Sequence, residues 1–161
     1  MRSPPPSPRQ AGPADAEAIG RLLDAFNREY DEPTPGAAAL AVRFRELLAG
    51  GETDVLLIGD GPHGIAVLRY RLSIWTPGRE CYLAELYVTP PEWGHGLGRA
   101  LMVRAIELAK ERGADGMDLG TSVDDTAARG LYESLGFTNK EGDPDGPSML
   151  FYELNWDRAA S

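Results

Sequence analysis

The sequence predicts a mixed α/β (α+β) domain, with a mainly antiparallel sheet of six to seven strands flanked by about four helices. Three observations carry that prediction. Apolar residues recur at helical spacing up to about residue 48, and the period changes after residue 53. Three strand-like runs then follow one another across short turns, as in an antiparallel meander. Finally, a strand, a glycine loop, a helix and another strand succeed each other over 82–123, an order that gives a right-handed parallel crossover.

In chain order, residues 1–12 read as a proline- and serine-rich disordered tail. A helix begins at Pro13-Ala14-Asp15, places Ile19, Leu22, Leu23, Phe26 and Tyr30 at helical spacing, and ends near Asp31 before Pro33 and Pro35. A second helix, about 37–48, stops at Gly50-Gly51. Strands follow at 53–58 and 64–74, joined by the turn Gly59-Asp60-Gly61-Pro62-His63. After a second turn at 75–80 the strand 82–88 runs into Pro90-Pro91, which cannot continue a ladder. A helix from about Leu97 to Arg112, a strand at 117–123, a helix at 126–135 capped by Asp124-Asp125, and strands at 137–138 and 148–155 complete the chain. With no repeat or linker visible, 13–156 reads as one domain and 157–161 as a short tail.

Composition limits the function classes. At 161 residues with 42% hydrophobic, the chain can bury a real core but has no apolar run of membrane-spanning length. A net charge of −9 argues against nucleic acid, whose phosphates need Lys and Arg, and permits a cationic substrate. The single Cys81 excludes an internal disulfide and a cysteine zinc site, and no metal is expected. The N-terminus lacks an apolar signal core, so a cytoplasmic location is expected.

Chemistry concentrates at Trp93-Gly94-His95-Gly96-Leu97-Gly98-Arg99. The first turn of a helix carries unpaired N–H groups and partial positive charge, and glycine lets an anion reach the backbone. The same glycines would serve a tight turn that needs positive φ. A dinucleotide G-x-G-x-x-G is excluded by Arg99, and no P-loop sequence occurs.

Pro91 to Leu101 resembles the acyl-coenzyme A (acyl-CoA) loop of the GCN5-related N-acetyltransferase family, Arg/Gln-x-x-Gly-x-Gly/Ala. Ala128-Arg129-Gly130-Leu131-Tyr132-Glu133-Ser134-Leu135-Gly136-Phe137 resembles that family's later Ala-x-x-Leu-Tyr-x-x-x-Gly-Phe signature. The resemblance covers about residues 10–156. It implies a sheet splayed between its fourth and fifth strands, acetyl-CoA as co-substrate, pantetheine pairing near Leu86, Tyr87 and Val88, and diphosphate on the amides of Gly94 to Arg99. Asp125, Arg129 and Tyr132 would also line the cofactor. Two departures stand out: Trp93 replaces the usual Arg or Gln, and Asp125 replaces a common Asn. His95 is either a phosphate neighbour or simply solvated.

Acyl transfer requires a neutral amine, and an alkyl amine with pKa of about 10.4 lies about 4.6 kcal/mol from half neutral at pH 7. Glu85, which interrupts an apolar strand, is the candidate base; otherwise it is an outward carboxylate or a substrate contact that only attracts a cationic acceptor. Tyr132 matches the family's proton donor to the departing thiol; otherwise it is an aromatic anchor. By the same resemblance 26–35 walls the acceptor site, where Glu29 and Tyr30 would bind an amine and favour a cationic one. The expected function is therefore N-acetylation of a small or protein primary amine by direct attack in a ternary complex, and a homodimer is admitted. The alternative is a non-catalytic acyl-CoA sensing module, which would need the glycines but neither Glu85 nor Tyr132.

Overall fold

The structure, a computed structural model, describes residues 3–159. The chain divides into two units, residues up to 119 and residues from 120 on.

The first unit holds one five-stranded sheet in the order β1 (Arg9–Gln10), β2 (Thr53–Ile58), β3 (Gly64–Leu72), β4 (Arg79–Val88) and β5 (Ala114–Asp118). All neighbours are antiparallel except β4 and β5, which the crossover helix α3 (Leu97–Glu111) makes parallel. Helices α1 (Ala16–Glu29) and α2 (Ala37–Ala49) cover one face, packing Ile19, Leu22, Leu23 and Phe44 against Val55, Leu57, Ile65, Val67 and Tyr87. The alternate residues Leu56, Ile58, Ala66 and Leu68 point to the other face, where α3 buries Leu101, Met102, Ala105 and Leu108. With both faces covered, β2 is buried at every position, which explains its unbroken apolar run. Asp54 is buried but fully engaged: it accepts from Tyr70 Oη at 2.9 Å, Arg112 Nε at 3.0 Å and Gln10 Nε2 at 2.9 Å, tying β1, β2, β3 and the end of α3 together.

The second unit contains α4 (Thr126–Ser134) and the short α5 (Trp156–Ala159). Asp125 caps α4, accepting a hydrogen bond from the Ala128 amide at 3.1 Å, and Tyr132 packs edge-on to Phe137 with centroids 5.8 Å apart.

Several expectations need correction. Five strands are present among the described residues rather than six or seven. The strands expected at 137–138 and 148–155 are absent; only Lys140 and Ser148 form a bridge, supported by Met149 N–H donating to Asn139 O at 2.6 Å. Met149 to Tyr152 is apolar at every position and exposed throughout, so no alternation assigns one face of that segment to a core. β5 occupies 114–118 instead of 117–123, because Gly113, at φ +84°, turns the chain and its carbonyl accepts from Arg79 N–H at 3.0 Å, which starts the parallel register early. That register also draws Arg79 and Glu80, expected in a turn, into β4. β1 lies within the segment expected as a disordered tail, and the helix Trp156–Ala159 runs into the segment 157–161 expected as a C-terminal tail; residues 1–2 and 160–161 of those tails lie outside the described residues. No helix among the described residues is long and apolar enough to cross a membrane.

Candidate functional site

β4 supplies two different surfaces. Its antiparallel register pairs Glu85 with Val67 and Tyr87 with Ile65, and Thr89 N–H donates to His63 O at 2.8 Å, so alternate residues 85, 87 and 89 turn their backbone groups toward β3. Leu86 and Val88 turn theirs to the opposite edge. β5 covers that edge only over Arg79–Tyr82, so β4 and β5 part before Leu86, which is the expected splay.

Glu85 lies beside a bulge. Val67 faces Glu85 while Leu68 faces Leu83, which leaves Ala84 as the extra residue, and such bulges re-aim neighbouring side chains. Cross-strand partners share a face, so Glu85 sits with Val67 and Tyr87 on the side covered by α1 and α2. Burial pushes the Glu85 carboxyl pKa up, toward the range where a carboxylate is an effective base near neutral pH.

The end of α1 lies against the same surface. Phe26 stacks on Tyr87 with centroids 4.7 Å apart and planes 8° from parallel, and Tyr30 meets Phe26 edge-on at 5.4 Å. The Tyr87 hydroxyl pKa is raised by burial and then by the nearby Glu29 and Tyr30. Glu29 and Tyr30 are themselves exposed, and the segment after α1 is tied back by Asn27 Nδ2 donating to Pro33 O at 2.7 Å and Thr34 Oγ1 donating to Asp24 at 2.8 Å. The Tyr87 side chain therefore lies with Phe26 on the α1-facing side of β4, away from the edge that Leu86 and Val88 present.

After β4, a single helical turn, Pro90–Glu92, reverses the chain toward Gly94 and Gly96, both left-handed at φ +80° and +81°. Gly96 is the N-cap of α3, whose first internal bond runs from Ala100 N–H to Gly96 O at 3.0 Å, so the amides of Leu97 and Gly98 precede the helical ladder. Leu97 is buried and anchors this turn. A Cβ on Gly94 would meet nothing within 4 Å and one on Gly96 would reach only Pro5, at 3.8 Å, so it is the positive φ at both positions, not lack of room, that calls for glycine. The loop thus has the positive φ values that the turn reading expects.

The remaining side chains separate by environment. Arg99 is exposed, and His95 lies 3.5 Å from Glu92, with which it pairs when protonated. Trp93 donates its indole N–H to Val88 O at 2.6 Å. In the second unit, Asp125 is a cap, a role in which Asp and Asn are equivalent, which accounts for the departure there. Arg129 donates to Val123 O at 3.1 Å and approaches Glu133 at 3.7 Å. Tyr132 is buried and its pKa is pushed up to about 12, by burial first and then by Asp125. The bulge at Ala84, the Phe26–Tyr87 stack and the Trp93–Val88 bond were not read from sequence; the charge of Glu85 within an apolar strand was the one local sign of the first.

A strand with an open edge, joined through left-handed glycines to a helix N-terminus, defines a class that comparison with known proteins identifies. Residues 19–137 match the acetyltransferase (GNAT) family model, and the chain belongs to that family. It is 39% identical over 135 residues to mycothiol acetyltransferase of Beutenbergia cavernae, covering 81% of this chain and 44% of that protein. Against thialysine N-ε-acetyltransferase of Bos taurus it is 31% identical over 97 residues, 55% of this chain and 56% of that one. The chain thus spans about half the length, or less, of these curated relatives. A crystallised Arthrobacter sp. FB24 protein, provisionally described as an acetyltransferase, superposes with a TM-score of 0.87 at 42% identity, covering 96% of this chain and 99% of the other.

Proposed function

We propose that this chain is an acetyl-CoA-dependent N-acetyltransferase that acylates a primary amine by direct attack in a ternary complex. The observation that carries the reading is the desolvated Glu85 on the α1-facing side of β4, beside backbone groups of Leu86 and Val88 that face the edge which β5 does not pair, leading to the glycine turn. Backbone groups of Leu86 and Val88 would hold the pantetheine arm; amides from Gly94 to Arg99, with His95 and Arg99 beside them, would hold the diphosphate. The bound thioester supplies an activated acetyl group.

Glu85 removes the proton of the acceptor ammonium, directly or through water. Its raised pKa lessens the gap to the amine and makes this transfer less uphill than for an exposed carboxylate. Glu29 and Tyr30 receive the acceptor, whose cationic character is supported by the net charge of −9. Tyr132 donates from Oη to the departing sulfur, with Asp125 and Arg129 lining the cofactor. Because its pKa is about 12, full transfer to a thiolate with pKa near 8.5 is uphill by roughly 5 kcal/mol, so the donor acts chiefly through a hydrogen bond. The reading places the reaction in the cytoplasm, which suits a lone, buried, unpaired Cys81.

Glu85→Gln tests the base. A carboxyl whose folded pKa is raised contributes stability that is present below its unfolded value and lost as pH rises through the folded one. The variant should therefore be more stable than wild type at pH 8, with the gain shrinking toward pH 4, while kcat falls about 10²-fold or more. Wild-type kcat in a folded variant would remove Glu85 from the chemistry.

A further inference from the structure

The indole of Trp93 occupies one of the backbone acceptors on the open edge of β4. Thr89 N–H pairs toward β3, so Val88 O faces the other way, and Trp93 Nε1, brought back by the turn Pro90–Glu92, donates to it at 2.6 Å. The ring is 54% exposed, so burial does not hold it there. Trp93 also stands where its family has Arg or Gln, so the chain has exchanged a phosphate-facing donor for one turned onto its own strand.

We propose that Trp93 is a shutter on the pantetheine track: its indole N–H satisfies Val88 O until an amide N–H of the cofactor arm replaces it. This rests on the acetyl-CoA reading above, and it makes Trp93 a positioning residue that discriminates ligands with a pantetheine arm from those without. A carbonyl left bare on an edge strand exposes that edge to unwanted pairing, which the indole prevents. The exchange conserves the hydrogen bond at Val88 and releases the indole to solvent.

Trp93→Phe keeps a ring and removes the donor. Calorimetry compares wild type and variant with coenzyme A and with 3′-phosphoadenosine 5′-diphosphate, the same nucleotide without its arm. Loss of one hydrogen bond that must otherwise be broken should tighten coenzyme A about 5-fold and leave the nucleotide unchanged. In wild type, coenzyme A should also change tryptophan emission in a way that the nucleotide does not and that Trp93→Phe abolishes; Trp75 and Trp156 remain in both proteins as the constant background. An unchanged ratio of the two affinities, or weaker coenzyme A binding by the variant, overturns the shutter alone. Failure of wild type to bind either ligand overturns the cofactor reading and the shutter together.

Discussion

Replacing Gly20 by alanine tests whether α1 is held where the acceptor wall needs it. Gly20 is buried in α1 against α2, and a Cβ built there would lie 2.3 Å from Ala37 O and 3.1 Å from Ala41 N. Both obstructing atoms are backbone, so relief to the 3.4 Å of ordinary contact requires the helices to separate by about 1 Å. Overpacking of this kind costs roughly 1–3 kcal/mol, and alanine returns about 1 kcal/mol in helix propensity. The net expectation is a loss of up to about 2 kcal/mol, read as a lower urea midpoint at unchanged slope. Since α1 carries Phe26, Glu29 and Tyr30, the KM for the amine should rise while coenzyme A affinity holds. A variant more stable than wild type by the propensity gain alone would refute the close packing, and an unchanged amine KM would separate α1 from the acceptor site.

Other expectations follow from the same geometry. Gly96→Val places a β-branched residue at φ +81° over the first-turn amides; coenzyme A affinity should fall severely in a protein that still unfolds cooperatively, and calorimetry showing wild-type affinity would clear the loop of that role. Tyr132→Phe should lower kcat about 10-fold to 10³-fold with coenzyme A affinity nearly intact, and because the wild-type hydroxyl ionises only near pH 12, the pH–rate profile up to pH 10 should show no tyrosine limb in either protein. For a basic amine, kcat/KM should decline as salt rises, because ions screen the attraction of the acidic surface beyond about 8 Å at physiological strength; a flat profile would remove the argument from net charge.

The elements legible in the sequence were those fixed by local chemistry. The end of β4, the glycine turn and the start of α3 at Leu97 stand as read, because Pro90-Pro91 fix φ and end the ladder while Gly94 and Gly96 permit the positive φ that the turn needs. The caps of α4 and the meander of β2 to β4 follow from turn residues in the same way. What escaped depends on pairing between distant segments: β1 exists because Arg9 and Gln10 meet Leu57 and Leu56, and the early start of β5 is set by Arg79 across the sheet. The segment 148–155 misled because β propensity without alternation names no buried face. At the candidate site, residue types point to Glu85, but the bulge beside it depends on the Val67–Leu68 register, and the position of the Tyr87 ring depends on its stacking with Phe26 from a distant helix.

Catalysis itself is tested most directly by following free thiol release from acetyl-CoA across a panel of neutral, cationic and anionic primary amines, with mass spectrometry of each acceptor. Stoichiometric thiol release and acceptor acetylation are expected with at least one amine, cationic acceptors leading, and little release is expected without any amine. Tight acetyl-CoA binding with no acetylation of any acceptor would contradict catalysis and favour a non-catalytic acyl-CoA sensor.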